Sequence, residues 1–196
     1  MRILIPARKN SKGLPFKNRK LFADTAKIIP REFQSQSFVF TDDEVIKELA
    51  QDYKFKIPTR NPNSARDEAT TKELMQDFCS NFDNDDTILM LYLTYPERTW
   101  SDVLKAIDLF NNLNLKSLLC KKEVKQSPYL MMYELKNNRG QQIIEHDFSR
   151  RQDYKPCFEI SHFISIIKQS ELPNLNNNLY NQDTYFMKIR DVLDID

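Results

Sequence analysis

The amino-terminal stretch reads Arg2-Ile-Leu-Ile-Pro-Ala-Arg8-Lys-Asn-Ser11-Lys12-Gly13-Leu-Pro15-Phe-Lys17-Asn18, an apolar run followed at once by a cation-rich loop. The run from Ile3 to Pro6 is typical of a buried parallel strand. Phosphate groups bind fixed positive charge and hydrogen-bond donors, which this loop supplies at Arg8, Ser11, Lys12 and Lys17. The stretch therefore predicts a triphosphate-binding loop at the carboxyl edge of a sheet. Its spacing matches neither Gly-x-x-x-x-Gly-Lys-Ser/Thr nor Gly-x-Gly-x-x-Gly.

Length and charge limit the class of protein. The chain has 196 residues, enough for one sizeable α/β domain with or without a small appendage. Its 29 Lys and Arg residues and 28 Asp and Glu residues leave a formal charge of +1, so neither nucleic acid nor an anionic membrane is an expected partner. No apolar run approaches the roughly 20 residues that span a bilayer, and the amino terminus lacks a signal-peptide core. A cytoplasmic location is the expectation.

Cysteine and glycine are both scarce. Cys79, Cys120 and Cys157 are odd in number, far apart and without Cys-x-x-Cys spacing, which argues against a disulfide framework and against a zinc site. We expect them to be buried small hydrophobes, with reactive thiols as the alternative. The only glycines are Gly13 and Gly140. A glycine inside the predicted phosphate loop indicates a positive φ or the close approach of a ligand.

Short apolar runs alternate with amphipathic segments, which predicts an α/β fold: a mostly parallel sheet with helices on its faces. After the first strand, strands are predicted at residues 37–41, 54–58, 87–92, 117–120, 163–167 and 185–188. A helix should follow Asp42, with Thr41 and Glu44 as its capping box. Further helices are expected around residues 74–82 and after Thr99. The first crossover, residues 22–33, contains Pro30 and predicts a short or irregular helix.

The alternation fades beyond about residue 125. Residues 125–162 contain Gly140 and the polar stretch Arg150-Arg-Gln-Asp153, and they are predicted to leave the sheet. Such excursions often contact partners or substrates. We therefore expect a main α/β domain formed by residues 1–124 and 163–196, with residues 125–162 as an excursion within it.

The residues from Ile5 to Asn18 resemble the first motif of the acylneuraminate cytidylyltransferases, also called CMP-sialic acid synthetases. Further similar motifs keep the family's order along the chain: Phe40-Thr-Asp42, Arg60 followed by Arg66-Asp67 and Ala69-Thr-Thr71, Thr94-Tyr-Pro-Glu-Arg98, Arg150-Arg-Gln-Asp153, and Leu193-Asp-Ile-Asp196. The resemblance covers essentially the whole chain. It implies the Rossmann-like fold of the nucleotide-diphospho-sugar transferases, a homodimer, and a dimerisation role for residues 125–162.

The resemblance also implies a reaction: the anomeric hydroxyl of a keto-sugar acid attacks the α-phosphate of CTP and pyrophosphate leaves. Such a transfer needs positioning and neutralisation of charge more than covalent chemistry. Lys17 and Arg8 are therefore expected to be the catalytic cations, with Ser11 and Lys12 on the phosphates. By resemblance, Asn18 binds ribose or phosphate. Arg60, Ala69 and Thr71 match positions that hold cytosine and ribose. The arginine motif, with Arg151 as our candidate, would reach a sugar carboxylate, often across a dimer interface.

Two acids near the end of the chain predict a metal site. Asp194 and Asp196 are two residues apart, so in an extended segment their carboxylates project from the same face. Hard oxygen ligands suit Mg²⁺, which would bridge the triphosphate and the sugar. The alternative is a pair of solvated acids. Family members usually continue beyond this motif, so a truncated chain or a minimal member is expected.

Departures from the family pattern lie on the sugar side. Tyr92 replaces a sugar-contacting amide, Leu130 stands where sialic-acid enzymes tend to have lysine, and Ser161-His162-Phe163 replaces Asn-Gly-Ala. Because several polar contacts change, we expect the pocket to accept a different sugar acid from that of the sialic-acid enzymes. The resemblance implies that the acceptor is a nonulosonic acid (sialic, legionaminic or pseudaminic-like) or a related 3-deoxy acid, without choosing among them. Two alternatives remain: a catalytically impaired nucleotide-binding or scaffold protein, and a nucleotidyltransferase that uses another nucleoside triphosphate.

Each candidate residue also has a simpler interpretation. The first loop could be an ordinary solvated basic loop, and Arg60 could pair with Asp67 or Glu68 on the surface. His146 and His162 show no ligand spacing and are expected to have structural or surface roles. Trp100 is expected to pack rather than to stack on a ligand.

Overall fold

The computed structural model of the protein describes residues 1–9 and 14–195, and it contains one six-stranded sheet, a separate hairpin and four α-helices. The strands are β1 (Arg2–Pro6), β2 (Ser37–Phe40), β3 (Thr87–Met90), β4 (Ser117–Glu123), β5 (Met132–Leu135), β6 (Arg139–Gln142), β7 (Phe158–Lys168) and β8 (Tyr185–Lys188). The helices are α1 (Lys17–Ile28), α2 (Glu44–Asp52), α3 (Thr71–Cys79) and α4 (Trp100–Asn112).

The sheet is mostly parallel, as predicted. Its strand order is β2-β1-β3-β7-β4-β8. The pairs β1/β2, β1/β3 and β4/β8 are parallel, whereas β7 runs antiparallel to both β3 and β4. The predicted start of β7 at residue 163 was wrong by five residues, because the strand already begins at Phe158. Its first three residues are exposed, so the hydrophobic pattern could not reveal them.

Helices cover both faces of the sheet, which confirms the predicted fold class. Alternate residues of β1 point to opposite sides, since successive side chains of a strand do so. Ile3 and Ile5 pack into a core with α1, α2 and α4, whereas Leu4 packs into a second core with α3. Trp100 packs against Phe33, with ring centroids 4.9 Å apart, as expected.

The first crossover is more regular than predicted. Helix α1 has 12 residues and begins at Lys17, five residues before the predicted segment. It ends at Ile28, before Pro30, and a 3-10 turn (Arg31–Gln36) leads into β2. The prediction was wrong because it placed the proline inside the helix, whereas the helix ends ahead of it, as the restriction on pre-proline residues favours.

Two further predictions near β2 were wrong. Asp43, not Thr41, caps α2, because its carboxylate accepts a hydrogen bond from the Val45 N–H at 3.1 Å. The Thr41 hydroxyl instead donates to the carbonyl of Ala7 and so ties β2 to the end of β1. Residues 54–58 form no strand. Lys56 makes an isolated parallel bridge with Phe38, so the segment follows β2 without a continuous ladder.

The excursion contains a hairpin and a small aromatic cluster. Strands β5 and β6 pair antiparallel, and all their residues are exposed. Tyr129 and Tyr154 stack with ring centroids 4.8 Å apart, and His146 and Phe148 pack beside them. The His146 ring contacts the Tyr129 carbonyl at 2.9 Å. This cluster supports the structural role expected of His146.

Two cysteines are core residues, as predicted. Cys79 and Cys120 are buried. Cys157 is only half-buried, so the prediction of a buried residue was wrong there. Burial raises the pKa of the Cys79 thiol to about 11 and that of Cys120 to about 12. In the described part of the chain, no helix is both long and apolar enough to cross a membrane.

Candidate functional site

A cleft of about 450 Å³ opens at the carboxyl ends of β1 and β3. The position follows from the topology: β2 lies on one side of β1 and β3 on the other. The chain passes from β1 to β2 on one side and then returns to β3 on the other, and such a switch point in strand order is where open α/β sheets bind ligands.

The cleft brings together residues that are far apart in the chain. Of the predicted site residues, those that line it are Arg8, Lys17, Asn18, Arg60, Ala69, Thr71 and Tyr92. Ser11, Lys12 and Asp196, also predicted, lie outside the residues that the structure describes. Arg151 and Asp194 are described but do not line the cleft.

The first wall comes from the end of β1 and the start of α1. The Asn18 side-chain amide donates to the Arg8 carbonyl at 2.8 Å, and the Lys9 N–H donates to the Asp42 carboxylate at 2.8 Å. Both bonds fix the backbone around Arg8. Lys17, the first residue of α1, is only 5 % exposed and lines the cleft. Its ammonium adds to the partial positive charge of the helix N-terminus, so this wall favours an anion.

Helix α1 is fastened to the neighbouring helix by a second pair of groups. The Arg19 guanidinium donates two hydrogen bonds to the Asp43 carboxylate, at 2.7 and 3.0 Å. Asp43 is almost completely buried and also caps α2. A bidentate pair of this kind is directional, so it holds the first turn of α1 in place.

An ion pair crosses the cleft. The Arg8 guanidinium donates to the Asp67 carboxylate, which belongs to the loop between the Pro62–Ala65 turn and α3. The side chains of Arg8 and Asp67 are 31 % and 30 % exposed. The sequence contained both residues in its motifs, but pattern alone does not pair residues 59 positions apart.

The second wall of the cleft is the segment from Arg60 through the Pro62–Ala65 turn to Asp67, and Arg60 anchors it. Its guanidinium donates to the Phe40 carbonyl at 3.1 Å and to the Ser64 carbonyl at 2.6 Å, and only 9 % of the residue is exposed. Burial lowers the pKa of Arg60, and the nearby carboxylates of Asp42 and Asp77 partly oppose this shift. The alternative in which Arg60 pairs with Asp67 or Glu68 on the surface was therefore wrong.

The third wall joins the start of α3 to the segment after β3. Thr70 and Glu73 form a capping box that orders the first turn of α3. The Tyr92 hydroxyl donates to the Thr71 hydroxyl at 3.3 Å. The Tyr92 ring meets His162 edge to face, with centroids 5.8 Å apart. Burial lowers the pKa of His162, against the opposing charge of Asp194.

Arg98 supports this third wall by a hydrogen bond to the Tyr92 carbonyl. From the sequence we predicted no role for it. It is 2 % exposed and donates to the carbonyls of Tyr92 (2.7 Å) and Phe163 (2.8 Å) and to the Thr25 hydroxyl (3.2 Å). Burial lowers its pKa to about 10. One guanidinium thus links α1, β7 and the segment after β3. The sequence feature that could have indicated a role for Arg98 was its position at the end of the Thr94–Arg98 motif.

The carboxyl-terminal segment lies beside the cleft. The Ile195 N–H donates to the carbonyl of Thr94, a lining residue, at 2.9 Å. Asp194 is therefore held close to the cleft, with its side chain exposed. Burial raises the pKa of the Tyr95 phenol, and the nearby Asp194 carboxylate raises it further. Across residues 1–9 and 14–195, no three His, Cys, Asp or Glu side chains form a group that could hold a metal ion.

Arg151 lies in the excursion, in an exposed 3-10 turn (Arg151–Asp153). Its neighbour Arg150 is paired with Asp153 at 3.1 and 3.0 Å. A single chain therefore does not bring Arg151 to the cleft.

A mostly parallel sheet with a basic cleft at its switch point defines an α/β protein whose cleft suits an anionic ligand. A family model described as Cytidylyltransferase matches residues 2–155. The chain belongs to this cytidylyltransferase family.

Two curated proteins are similar to this chain, and the first carries the family's name. The chain is 27% identical over 165 residues to an N-acylneuraminate cytidylyltransferase of Streptococcus agalactiae serotype III (strain NEM316). The alignment covers 79% of this chain and 40% of the relative. The chain thus spans less than half the length of that relative. It is 24% identical over 210 residues to the post-translational flagellin modification protein B of Campylobacter coli, covering 98% of this chain and 88% of that protein.

Solved structures share the fold. A CMP:2-keto-3-deoxy-manno-octonic acid synthetase complexed with CTP superposes with a TM-score of 0.65 at 14% identity, covering 97% of this chain and 90% of the other. A cytidylyltransferase from Leptospira borgpetersenii serovar Hardjo-bovis (strain JB197) gives a TM-score of 0.55 at 16% identity, covering 98% and 76%. These matches confirm the predicted nucleotide-diphospho-sugar transferase fold.

Proposed function

We propose that this chain transfers the CMP group of CTP to the anomeric hydroxyl of a nonulosonic or related 3-deoxy sugar acid, with release of pyrophosphate. The observation that carries the proposal is the cleft in which Lys17 and Arg8 face the Arg60 wall at the switch point of the sheet. Family membership supports the use of CTP. The relatives named for N-acylneuraminate and for 2-keto-3-deoxy-manno-octonic acid support a sugar acid as acceptor.

The basic wall would carry the phosphate chemistry. As the bond to the α-phosphorus breaks, negative charge develops on the bridging oxygen and the leaving pyrophosphate, and fixed cations lower the barrier by stabilising that charge. Lys17 and Arg8 would supply those cations, and Ser11 and Lys12 would extend the same loop. Asn18 is already bonded to the Arg8 carbonyl. It would therefore orient the loop as well as bind ribose or phosphate.

The opposite walls would hold the nucleoside and the sugar. Arg60 keeps the segment before α3 against β2 through its carbonyl contacts. In this arrangement Ala69 and Thr71 would meet cytosine and ribose. Tyr92, bonded to Thr71, would lie between the nucleotide and the acceptor. Because a phenol replaces an amide there, we leave the choice among sialic, legionaminic and pseudaminic-like acids to experiment.

A homodimer would complete the site. The excursion exposes several large apolar side chains, among them Met132, Tyr133 and Leu135, and clustered apolar exposure is typical of an interaction surface. Arg151 is exposed on the same excursion. In the proposed dimer it would reach the sugar carboxylate of the facing cleft, where a bidentate arginine suits the ligand.

Mg²⁺ is the proposed cofactor. Asp194 is exposed and precedes Ile195, whose N–H donates to the carbonyl of Thr94 at the edge of the cleft, and carboxylate oxygens are the protein ligands that Mg²⁺ prefers. Asp194, with Asp196, would hold the ion. When bound, the ion supplies neutralisation of triphosphate charge.

A coupled pyrophosphate assay tests the proposal. CTP is offered with Mg²⁺ and a panel of sialic, legionaminic, pseudaminic and 3-deoxy-manno-octulosonic acids, and UTP, GTP and ATP serve as nucleotide controls. We expect turnover with CTP and one class of acid. CTP binding without turnover across the panel would replace the proposal with an impaired nucleotide-binding homologue. A larger thermal shift with another nucleotide would replace CTP.

A further inference from the structure

We propose that Asp67 is an affinity-determining residue of the cleft: its carboxylate pairs with the Arg8 guanidinium and competes there with nucleotide phosphate. The inference rests on the proposed function, because it assumes that Arg8 receives a phosphate. It concerns a residue that the sequence placed in a motif but gave no role, apart from an alternative surface pair with Arg60.

The geometry sets the two anions against each other. Arg8 and Asp67 both line the cleft, and the Arg8 guanidinium donates to the Asp67 carboxylate. A carboxylate and a phosphate bind a guanidinium through the same N–H donors. A phosphate that reaches Arg8 must therefore displace Asp67 or lie against it as a like charge.

The other charged residues that the structure describes in the cleft are basic, so Asp67 stands out as an acid among them. Among the described lining residues Asp67 is the single acid, whereas Arg8, Lys17, Arg60 and Arg66 are basic. Removing one carboxylate from such a site makes it more attractive to a polyanion. The pair is only partly buried, so it can open without exposing apolar core.

The Arg8 backbone is held in place without Asp67. The Arg8 carbonyl is held by Asn18, and the next backbone N–H, that of Lys9, is held by Asp42. These bonds leave the Arg8 backbone fixed when the ion pair opens. A supporting role for Asp67 predicts weaker nucleotide binding once its charge is removed, whereas competition predicts tighter binding. The sign of the effect decides between them.

The same competition would act on the product side. When pyrophosphate leaves, the Asp67 carboxylate can return to Arg8 and oppose rebinding. Removal of the charge should therefore tighten pyrophosphate binding along with CTP binding. It should also strengthen product inhibition by pyrophosphate.

Calorimetric titration of Asp67→Asn tests the inference. The matched control is Glu68→Gln, which makes the same change of charge at the next residue, an exposed one that does not line the cleft. At low ionic strength we expect Asp67→Asn to bind CTP and pyrophosphate about three- to fivefold more tightly than the parent chain, the upper part of the range for one partly exposed charge pair. Glu68→Gln should stay within about twofold, and added salt should narrow the difference. Asp67→Ser serves as a second variant should the amide fold poorly.

Equal or weaker binding of the Asp67 variants, relative to the parent chain, overturns the inference. The parent chain reports separately on the proposed function. If it binds pyrophosphate but not CTP, the proposed function fails, and tighter pyrophosphate binding by Asp67→Asn still supports the competition.

Discussion

Lys17 offers the sharpest test of the proposed chemistry. It is the first residue of α1, it lines the cleft, and only 5 % of it is exposed. Lys17→Met keeps an unbranched side chain of similar length and removes the charge. Lys20→Met is the matched control: it makes the same change one turn along the same helix, at an exposed position.

The expected loss of kcat follows from the buried position of the Lys17 ammonium in the cleft. A fixed donor aimed at developing charge in a water-poor site contributes about a hundred- to a thousandfold to kcat, or about 2.7–4 kcal/mol. We expect a loss of that size for Lys17→Met, with a smaller change in KM for CTP, because the interaction strengthens in the transition state. Lys20→Met should stay within about twofold, the effect typical of an exposed charge.

Steady-state pyrophosphate release, with CTP and the sugar acid varied in turn, measures both constants. Urea denaturation runs in parallel, since a methionine avoids the desolvation cost of a buried ammonium and should keep the fold. If the folded Lys17→Met variant retains kcat within about threefold of the parent chain, Lys17 is not the catalytic cation and the reasoning from burial and position is wrong.

Three other predictions concern the supports of the site. Arg98→Lys cannot keep all three hydrogen bonds of the guanidinium, so it should lower the free energy of unfolding by about 2–4 kcal/mol in urea denaturation. Asp194→Asn should raise the Mg²⁺ concentration for half-maximal activity by at least about tenfold, whereas Asp191→Asn, also exposed, should leave it unchanged. Burial raises the pKa of Asp102, but hydrogen bonds from Thr99 and Arg190 lower it by more. Its contribution to stability is thus present above about pH 4 and lost as the pH falls through the lower folded pKa, so Asp102→Asn should flatten the acid side of the stability profile.

The sheet and its helices were largely readable because their signals are local. Buried strands such as β1 and β3 are continuous apolar runs, and the helices α3 and α4 begin at capping boxes formed by residues three positions apart. The errors fell where the local signal was ambiguous. The exposed first residues of β7 carry no hydrophobic pattern, and two acids and a threonine competed to cap α2.

The site was readable as a set of residue types but not as a set of contacts. Arg8, Lys17, Asn18 and Tyr92 were candidates from their motifs, and they do line one cleft. Arg98 was missed because a buried arginine that donates to carbonyls looks, in sequence, like any charged residue at a helix start.

The sequence by itself determined the alternation of strands and helices, the basic loop after the first strand and the resemblance that points to CTP, because periodicity, charge and motif order are properties of neighbouring residues. Only the tertiary structure decided that Asp67 faces Arg8 across 59 positions, that Arg60 is an anchor rather than a surface cation, and that Arg151 lies away from its own chain's cleft. Those relations depend on which strands become neighbours and on which side of the sheet a loop returns, and both are set by packing of the whole core.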